Sequence, residues 1–118
     1  MDKLGKKQKV FADIIWEHQP IGSRALTEIC EKKLGWKRTT TYTMLKGLCE
    51  KGIFENQNGT VVALMSKEDF GATQGKELVA ENFGGSLPKF LAAFTRRNKL
   101  SDKDIAELQK LINEHKEE

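Results

Sequence analysis

Apolar side chains recur every three or four residues through the first third of the chain, which is the spacing of amphipathic helices. The first stripe lies between residues 5 and 18 and consists of Val10, Phe11, Ile14 and Ile15. Pro20 ends this predicted helix, because proline lacks the backbone N–H that a helix needs to continue. The second stripe consists of Leu26, Ile29, Cys30 and Leu34. Ser23 is the predicted N-cap of the second helix, and Gly35 is its predicted C-terminal stop.

A third amphipathic segment runs from Lys37 to Lys51 and reads KRTTTYTMLKGLCEK. Its apolar stripe consists of Thr41, Met44, Leu45 and Leu48. The opposite arc has no acid and consists of Thr39, Thr43 and Lys46, with Thr40 and Tyr42 on its flanks. Threonine is a mediocre helix former, so helix stability does not explain this run. Hydroxyls and an ammonium can bind phosphates and base edges, which predicts a helix that reads a DNA groove. The alternative is an ordinary solvated face that is rich in threonine.

Two short segments with strand character, at residues 53–57 and 60–64, flank the dipeptide Asn58-Gly59. That dipeptide accepts positive φ at both positions and is a strong signal for a β-hairpin. Three helices followed by a hairpin have the order of a winged helix-turn-helix, whose third helix enters the major groove. The sequence therefore predicts a mainly α fold with a small β-hairpin, and a winged DNA-binding domain over residues 1–65.

Residues 66–118 predict a helical tail. Ser66 precedes Asp69 by three residues and Ser101 precedes Asp104 likewise, and each pair is the pattern of a capping box at a helix start. The predicted helices cover residues 67–83, 86–97 and 102–115, with the break between the first two at residues 84–85. Short amphipathic helices cannot bury their apolar faces alone, so we expect a second copy of the chain to cover them. Folding of the tail back onto its own winged domain is the alternative. The predicted dimer interface consists of Leu87, Phe90, Leu91, Phe94, Ile105, Leu108 and Ile112.

Composition narrows the class of protein. Residues 1–62 hold 11 Lys or Arg against 7 Asp or Glu, so the front half is the one expected to meet a polyanion. No apolar run approaches the length of a membrane span, and we expect a cytoplasmic protein without membrane insertion. Cys30 and Cys49 are interpreted as buried free thiols, and no Cys or His cluster has metal-site spacing. No catalytic pairing of side chains or phosphate-cradling glycine loop can be assembled, so we expect neither an enzyme nor a cofactor.

The block from Trp36 to Leu48, followed by Glu50-Lys51-Gly52, resembles the recognition-helix block of the penicillinase and methicillin-resistance repressor family, which includes copper-transport repressors. Ile14-Ile15-Trp16 in the first helix is similar to the same family. So are Phe83-Gly84-Gly85-Ser86 and the segment from Leu100 to Leu108. The resemblance covers nearly the whole chain in register.

This resemblance implies a homodimeric transcriptional repressor whose winged domains bind an inverted-repeat operator. In the antibiotic-responsive members, a membrane sensor protease triggers cleavage within the tail. That cleavage position falls on Ala93-Phe94, and Ala93 stands where the family typically has Asn. Tyr42 stands where the best-known members have Arg, and Lys37 takes the place of the usual Ser cap. The operator sequence is therefore expected to differ from theirs.

The predicted DNA contacts divide into two kinds. Arg38 and Lys46 are assigned to phosphates, whereas base edges and nearby phosphates are assigned to Thr39, Thr40, Tyr42 and Thr43. Ser23 is expected to place the start of the second helix at a phosphate or to act as a plain cap. Asn58, at the uncharged wing tip, is expected to approach the minor groove weakly. A winged-helix protein-interaction module is the rival interpretation, and it would place acids or large apolar side chains on the outward arc of the third helix.

Overall fold

The computed structural model describes residues 4–117, so residues 1–3 and 118, at the ends of the two predicted domains, lie outside the described residues. The elements follow the order α1 (Lys6–His18), β1 (Ile21–Gly22), α2 (Ser23–Leu34), α3 (Arg38–Glu50), β2 (Phe54–Gln57), β3 (Thr60–Ala63), α4 (Lys67–Phe83), α5 (Leu87–Arg97) and α6 (Asp102–Lys116). The chain divides into two compact units, one ending at Glu77 and the other beginning at Leu78. The winged-helix order followed by further helices confirms the predicted fold class.

The N-terminal unit holds a three-stranded antiparallel sheet in the order β1-β3-β2. Gln57 pairs with Thr60, so Asn58 and Gly59 form a two-residue turn. Their φ angles of 52° and 95° are both positive, which confirms the hairpin that the dipeptide predicted. The strand β1 was not predicted. It pairs Ile21 with Val61 and thereby ties the segment between α1 and α2 to the wing.

The core of this unit is built from the predicted helical stripes together with the start of the wing. Its fully buried large side chains are Phe11, Phe54, Ile15, Leu26, Leu48, Ile53, Val61, Thr41 and Cys30. Gly35, at φ 67°, ends α2 in the left-handed conformation, as predicted, and its N–H donates to Glu31 O. The tight turn after Gly35 places α3 against α2 with its apolar stripe inward.

The predicted N-cap of α2 is wrong. The N-cap is Gly22, in extended conformation with φ −60° and ψ 138°, and Ser23 is the first helical residue. Gly22 pairs with Thr60 in the sheet, and the Ser23 N–H donates to Gly59 O at 2.7 Å. Because strand pairing fixes where the extended backbone stops, the sheet sets the start of α2 here.

The first turn of α4 belongs to the packing of the N-terminal unit. Ser66 Oγ accepts a hydrogen bond from Asp69 N at 3.0 Å, which confirms the predicted helix start. Phe70 is only 7% exposed, and its ring centroid lies 5.7 Å from that of Trp16. Trp16 Nε1 donates to Met65 O at 3.0 Å and so fixes the chain just before the helix. The division of the chain at residue 65 into two functional domains stays a prediction.

Trp16→Phe removes the indole N–H that donates to Met65 O and is expected to lower the free energy of unfolding by about 1–3 kcal/mol. Trp36→Phe is the matched control, because within residues 4–117 the Trp36 indole makes a ring contact with Phe11 but no hydrogen bond. Urea denaturation of the two variants measures the difference. Equal losses would show that the Trp16 hydrogen bond contributes nothing.

The helices of the C-terminal unit are separated by a tight bend, and two of them begin at capped positions. Gly84 and Gly85 have φ of 58° and 81°, and this bend separates α4 from α5 as predicted. Ser86 Oγ accepts from Lys89 N at 3.2 Å, and Ser101 Oγ accepts from Asp104 N at 3.0 Å. These caps satisfy first-turn N–H groups that would otherwise lack partners. Both predicted helix starts are confirmed.

Candidate nucleic-acid interface

The recognition helix α3 separates its side chains cleanly between core and solvent. Thr41, Leu45 and Leu48 are buried, whereas the six residues of α3 that were predicted to meet DNA are exposed. Those six are Arg38, Thr39, Thr40, Tyr42, Thr43 and Lys46. The structure therefore brings them together on one accessible helix face, at the spacing that the sequence predicted.

The electrostatic character of that face is positive and without acids near its start. The N-cap Lys37 makes no side-chain cap, and no acidic residue lies in the first turn of α3. The positive end of the helix dipole therefore adds to the charges of Lys37 and Arg38. Glu50 lies at the opposite end of the helix. This arrangement favours an anion at the start of α3.

One hydroxyl on the exposed face of α3 already donates a hydrogen bond within the helix. Thr43 Oγ1 donates to Thr39 O at 2.9 Å, one turn earlier in α3. In this conformation the Thr43 side chain offers acceptor lone pairs and a methyl group to a ligand. It can accept a hydrogen bond from the amino group of adenine or cytosine, or contact a thymine methyl.

Ser23 and Asn58 are brought close to each other through the contact of α2 with the wing. Gly59, which follows Asn58 in the turn, accepts from the Ser23 N–H and donates its own N–H to Asn56 Oδ1 at 2.9 Å. Ser23 is half-buried, and Asn58 is exposed at the tip. The Ser23 N–H thus already donates within the chain. A phosphate at the start of α2 would therefore bind the N–H groups of the residues that follow Ser23. Sequence reasoning missed this contact because β1 was not predicted.

Cys30 in α2 and Cys49 in α3 are both free thiols; Cys30 is buried, as predicted, whereas Cys49 is only half-buried. Burial raises the pKa of the Cys30 thiol, and a hydrogen bond with the Thr41 side chain partly opposes that rise. Burial also raises the pKa of Cys49, with the Asn56 backbone opposing the shift and Glu55 adding to it. A raised pKa keeps a thiol protonated and weakly nucleophilic at neutral pH. Cys30 therefore serves the packing of α2 against α3.

The predicted interface residues in the tail are all at least partly exposed. Leu87, Phe94, Ile105 and Ile112 are exposed, whereas Phe90, Leu91 and Leu108 are half-buried. Phe90 makes ring contacts within the chain, at 5.4 Å from Phe83 and 5.9 Å from Phe94. None of residues 78–117 is buried. Leu78 and Leu111 are also exposed and were absent from the predicted interface.

The segment Ala93-Phe94 lies inside α5, which runs from Leu87 to Arg97. Its backbone is therefore helical, whereas proteolytic cleavage favours exposed and poorly ordered segments. Cleavage at this bond requires local opening of α5.

Two further features bear on the kind of protein. Within residues 4–117, no group of three or more His, Cys, Asp or Glu side chains is placed to hold a metal ion. Over the same residues, no helix combines the length and apolar character that crossing a membrane requires.

A winged helix whose third helix exposes a hydroxyl-rich face, without an acid before Glu50 at its end, is typical of a DNA-binding transcription regulator. The family described as Penicillinase repressor matches residues 4–114. The chain is 25% identical over 107 residues to the penicillinase repressor of Bacillus licheniformis, covering 87% of this chain and 84% of that protein. The chain belongs to the penicillinase repressor family, and the resemblance seen in its sequence is confirmed.

Proposed function

We propose that the protein acts in the cytoplasm as a homodimeric transcriptional repressor that binds an inverted-repeat operator with one α3 helix per half-site. The observation that carries this proposal is the exposed face of α3, on which Thr39, Thr40, Tyr42 and Thr43 meet base edges. Arg38 and Lys46, on the same face, bind phosphates at the edge of the groove. Twofold pairing places two such helices on successive half-sites, about one helical turn apart or a multiple of that.

The exposed apolar face of the tail supports pairing. Leu87, Phe94, Ile105 and Ile112 are large, exposed and spread over α5 and α6. Large apolar surfaces of this kind on a small unit favour association with another protein surface. A second copy presents the same residues, so a twofold interface can be self-complementary.

The regulatory partner that the family resemblance implies is a membrane sensor protease, and we include cleavage of the Ala93-Phe94 bond in the proposal. Cutting α5 there separates Leu87, Phe90 and Leu91 from the remaining interface residues. A divided interface holds the dimer less well, and the operator is then released. Incubation of the repressor with membranes from antibiotic-treated cells, followed by mass spectrometry, identifies the cut; an intact chain under conditions that relieve repression argues against it.

Lys46→Ala is expected to weaken binding to all duplexes alike and to lower the slope of log affinity against log salt by roughly one unit per half-site, because each protomer loses one phosphate contact. Lys103→Ala on α6 removes the same charge and is the control. Mobility-shift titrations over a salt series provide both slopes. Equal slopes for Lys46→Ala and Lys103→Ala would contradict the assignment.

The rival function, a protein-interaction module, is disfavoured by the same face. Such a module would need acidic or large apolar side chains where α3 carries Thr39, Thr43 and Lys46. Thr43→Val separates the two functions further, since it is expected to change base preference at one position of each half-site. A DNA-independent module would show no such change.

A further inference from the structure

The start of α1 carries two lysines that belong to none of the contacts described so far. Lys6 and Lys7 are exposed, and with Val10 they line one side of a surface cleft of about 290 Å³. Leu34 and Trp36, at the end of α2 and in the following turn, line the other side. The two lysines therefore stand next to the turn that leads into the recognition helix.

Ion pairing within the described part of the chain does not account for Lys6 and Lys7. Among the described residues 4–117, no carboxylate forms an ion pair with Lys6 or Lys7. The first turn of α1 contains no acidic residue, and its Gly5 N–H is satisfied by Gln8 Oε1 at 2.8 Å. Cations at the N-terminus of a helix oppose its dipole and are locally unfavourable. Helix stability therefore does not account for two lysines at this position.

The packing of α1 fixes where these cations lie. The Phe11 and Trp36 ring centroids are 5.4 Å apart, so the first half of α1 is held against the turn between α2 and α3. Trp36 is followed at once by Lys37, the N-cap of α3, and by Arg38. The two lysines thus extend the positive surface at the start of the recognition helix on the side where α1 lies.

The acidic residues of α2 that are nearest to Leu34 in the sequence do not line the cleft beside Lys6 and Lys7. Glu28 and Glu31 lie with Lys32 around a different depression on α2. Lys32 and Lys33, in the last turn of α2, are exposed and add to the positive charge near the turn. A polyanion lying along α3 would meet cations on both sides of Trp36.

We propose that Lys6 and Lys7 bind backbone phosphates of duplex DNA just outside the base pairs that α3 reads. This inference rests on the proposed function and extends it. The lysines lengthen the footprint of each protomer without adding sequence preference, because phosphate contacts carry no base information. Binding is then sensitive to the DNA that flanks the operator.

The double variant Lys6→Ala, Lys7→Ala tests the inference. We expect its salt slope on an operator duplex with flanks to be lower than that of the native protein by about two units per half-site. The control is Lys103→Ala, Lys110→Ala, which removes the same charge from exposed positions of α6. Alanine favours helix and both α1 positions are exposed, so circular dichroism is expected to show an unchanged fold.

A second arm compares the flanked duplex with one trimmed to the operator. The native protein and the α6 control are expected to bind the trimmed duplex more weakly, whereas the α1 variant binds both with similar affinity. An α1 variant with the slope of the α6 control, or with an undiminished response to trimming, would overturn the inference. Failure of the proposed function is a separate result, because it appears as equal affinity of the native protein for operator and scrambled duplexes.

Discussion

Replacement of Phe11 by Ala is expected to lower the free energy of unfolding by about 3–5 kcal/mol, a large share of the roughly 5–15 kcal/mol that holds a small domain folded. Phe11 is 0% exposed and packs on Trp36, so its removal leaves a cavity below the turn that leads into α3. The loss therefore reaches the recognition helix although Phe11 contacts no DNA. Chemical denaturation followed by circular dichroism measures the change.

Val10→Ala is the control for that experiment. Val10 precedes Phe11 on the same helix but is 44% exposed, so its truncation is expected to cost less than about 1 kcal/mol. If Phe11→Ala does not fold, Phe11→Leu keeps most of the volume and is expected to show a smaller loss in the same direction. Similar losses at positions 10 and 11 would contradict the core described here.

Ile112→Asp is expected to separate the proposed homodimer into monomers. Ile112 is 50% exposed on the apolar face of α6, and a carboxylate placed in a covered apolar interface must be desolvated without a partner. We expect dimer stability to fall by about 2–4 kcal/mol, which raises the dissociation constant by roughly 30- to 1000-fold. Operator affinity falls with it, because each monomer then binds a single half-site.

Asn113→Asp supplies the matched control, since it adds the same charge one residue later, off the apolar stripe. Sedimentation equilibrium is expected to show a dimer for this variant and a monomer for Ile112→Asp at the same micromolar concentration. An unchanged dimer in Ile112→Asp would remove α6 from the interface. Dissociation of both variants would indicate a general charge effect.

Apolar spacing and turn residues predicted most of the N-terminal unit, because interactions between residues close in sequence determine its helices and its hairpin. The spacing of Thr41, Leu45 and Leu48 identified the buried side of α3, and the left-handed conformation at the end of α2 identified Gly35 as its stop. The Asn58-Gly59 dipeptide fixed the hairpin by the same reasoning. The candidate DNA face followed as the remainder of α3.

The features that the sequence did not predict depend on contacts between distant residues. The two-residue strand β1 exists only because Val61 and Thr60 pair with it, and that pairing moved the N-cap of α2 to Gly22. The hydrogen bond from Trp16 to Met65 O joins residues 49 positions apart. Neither leaves a periodic signal along the chain. The proposed tail interface would depend further on the surface of a second chain, which an apolar stripe indicates but does not define.

Selection of bound duplexes from a random DNA pool tests the central claim, that two copies of α3 read one operator together. The account predicts enrichment of a motif with twofold symmetry, whose half-sites are separated by about one helical turn or a multiple of that. Enrichment of a single asymmetric site, or no enrichment over the starting pool, would contradict it.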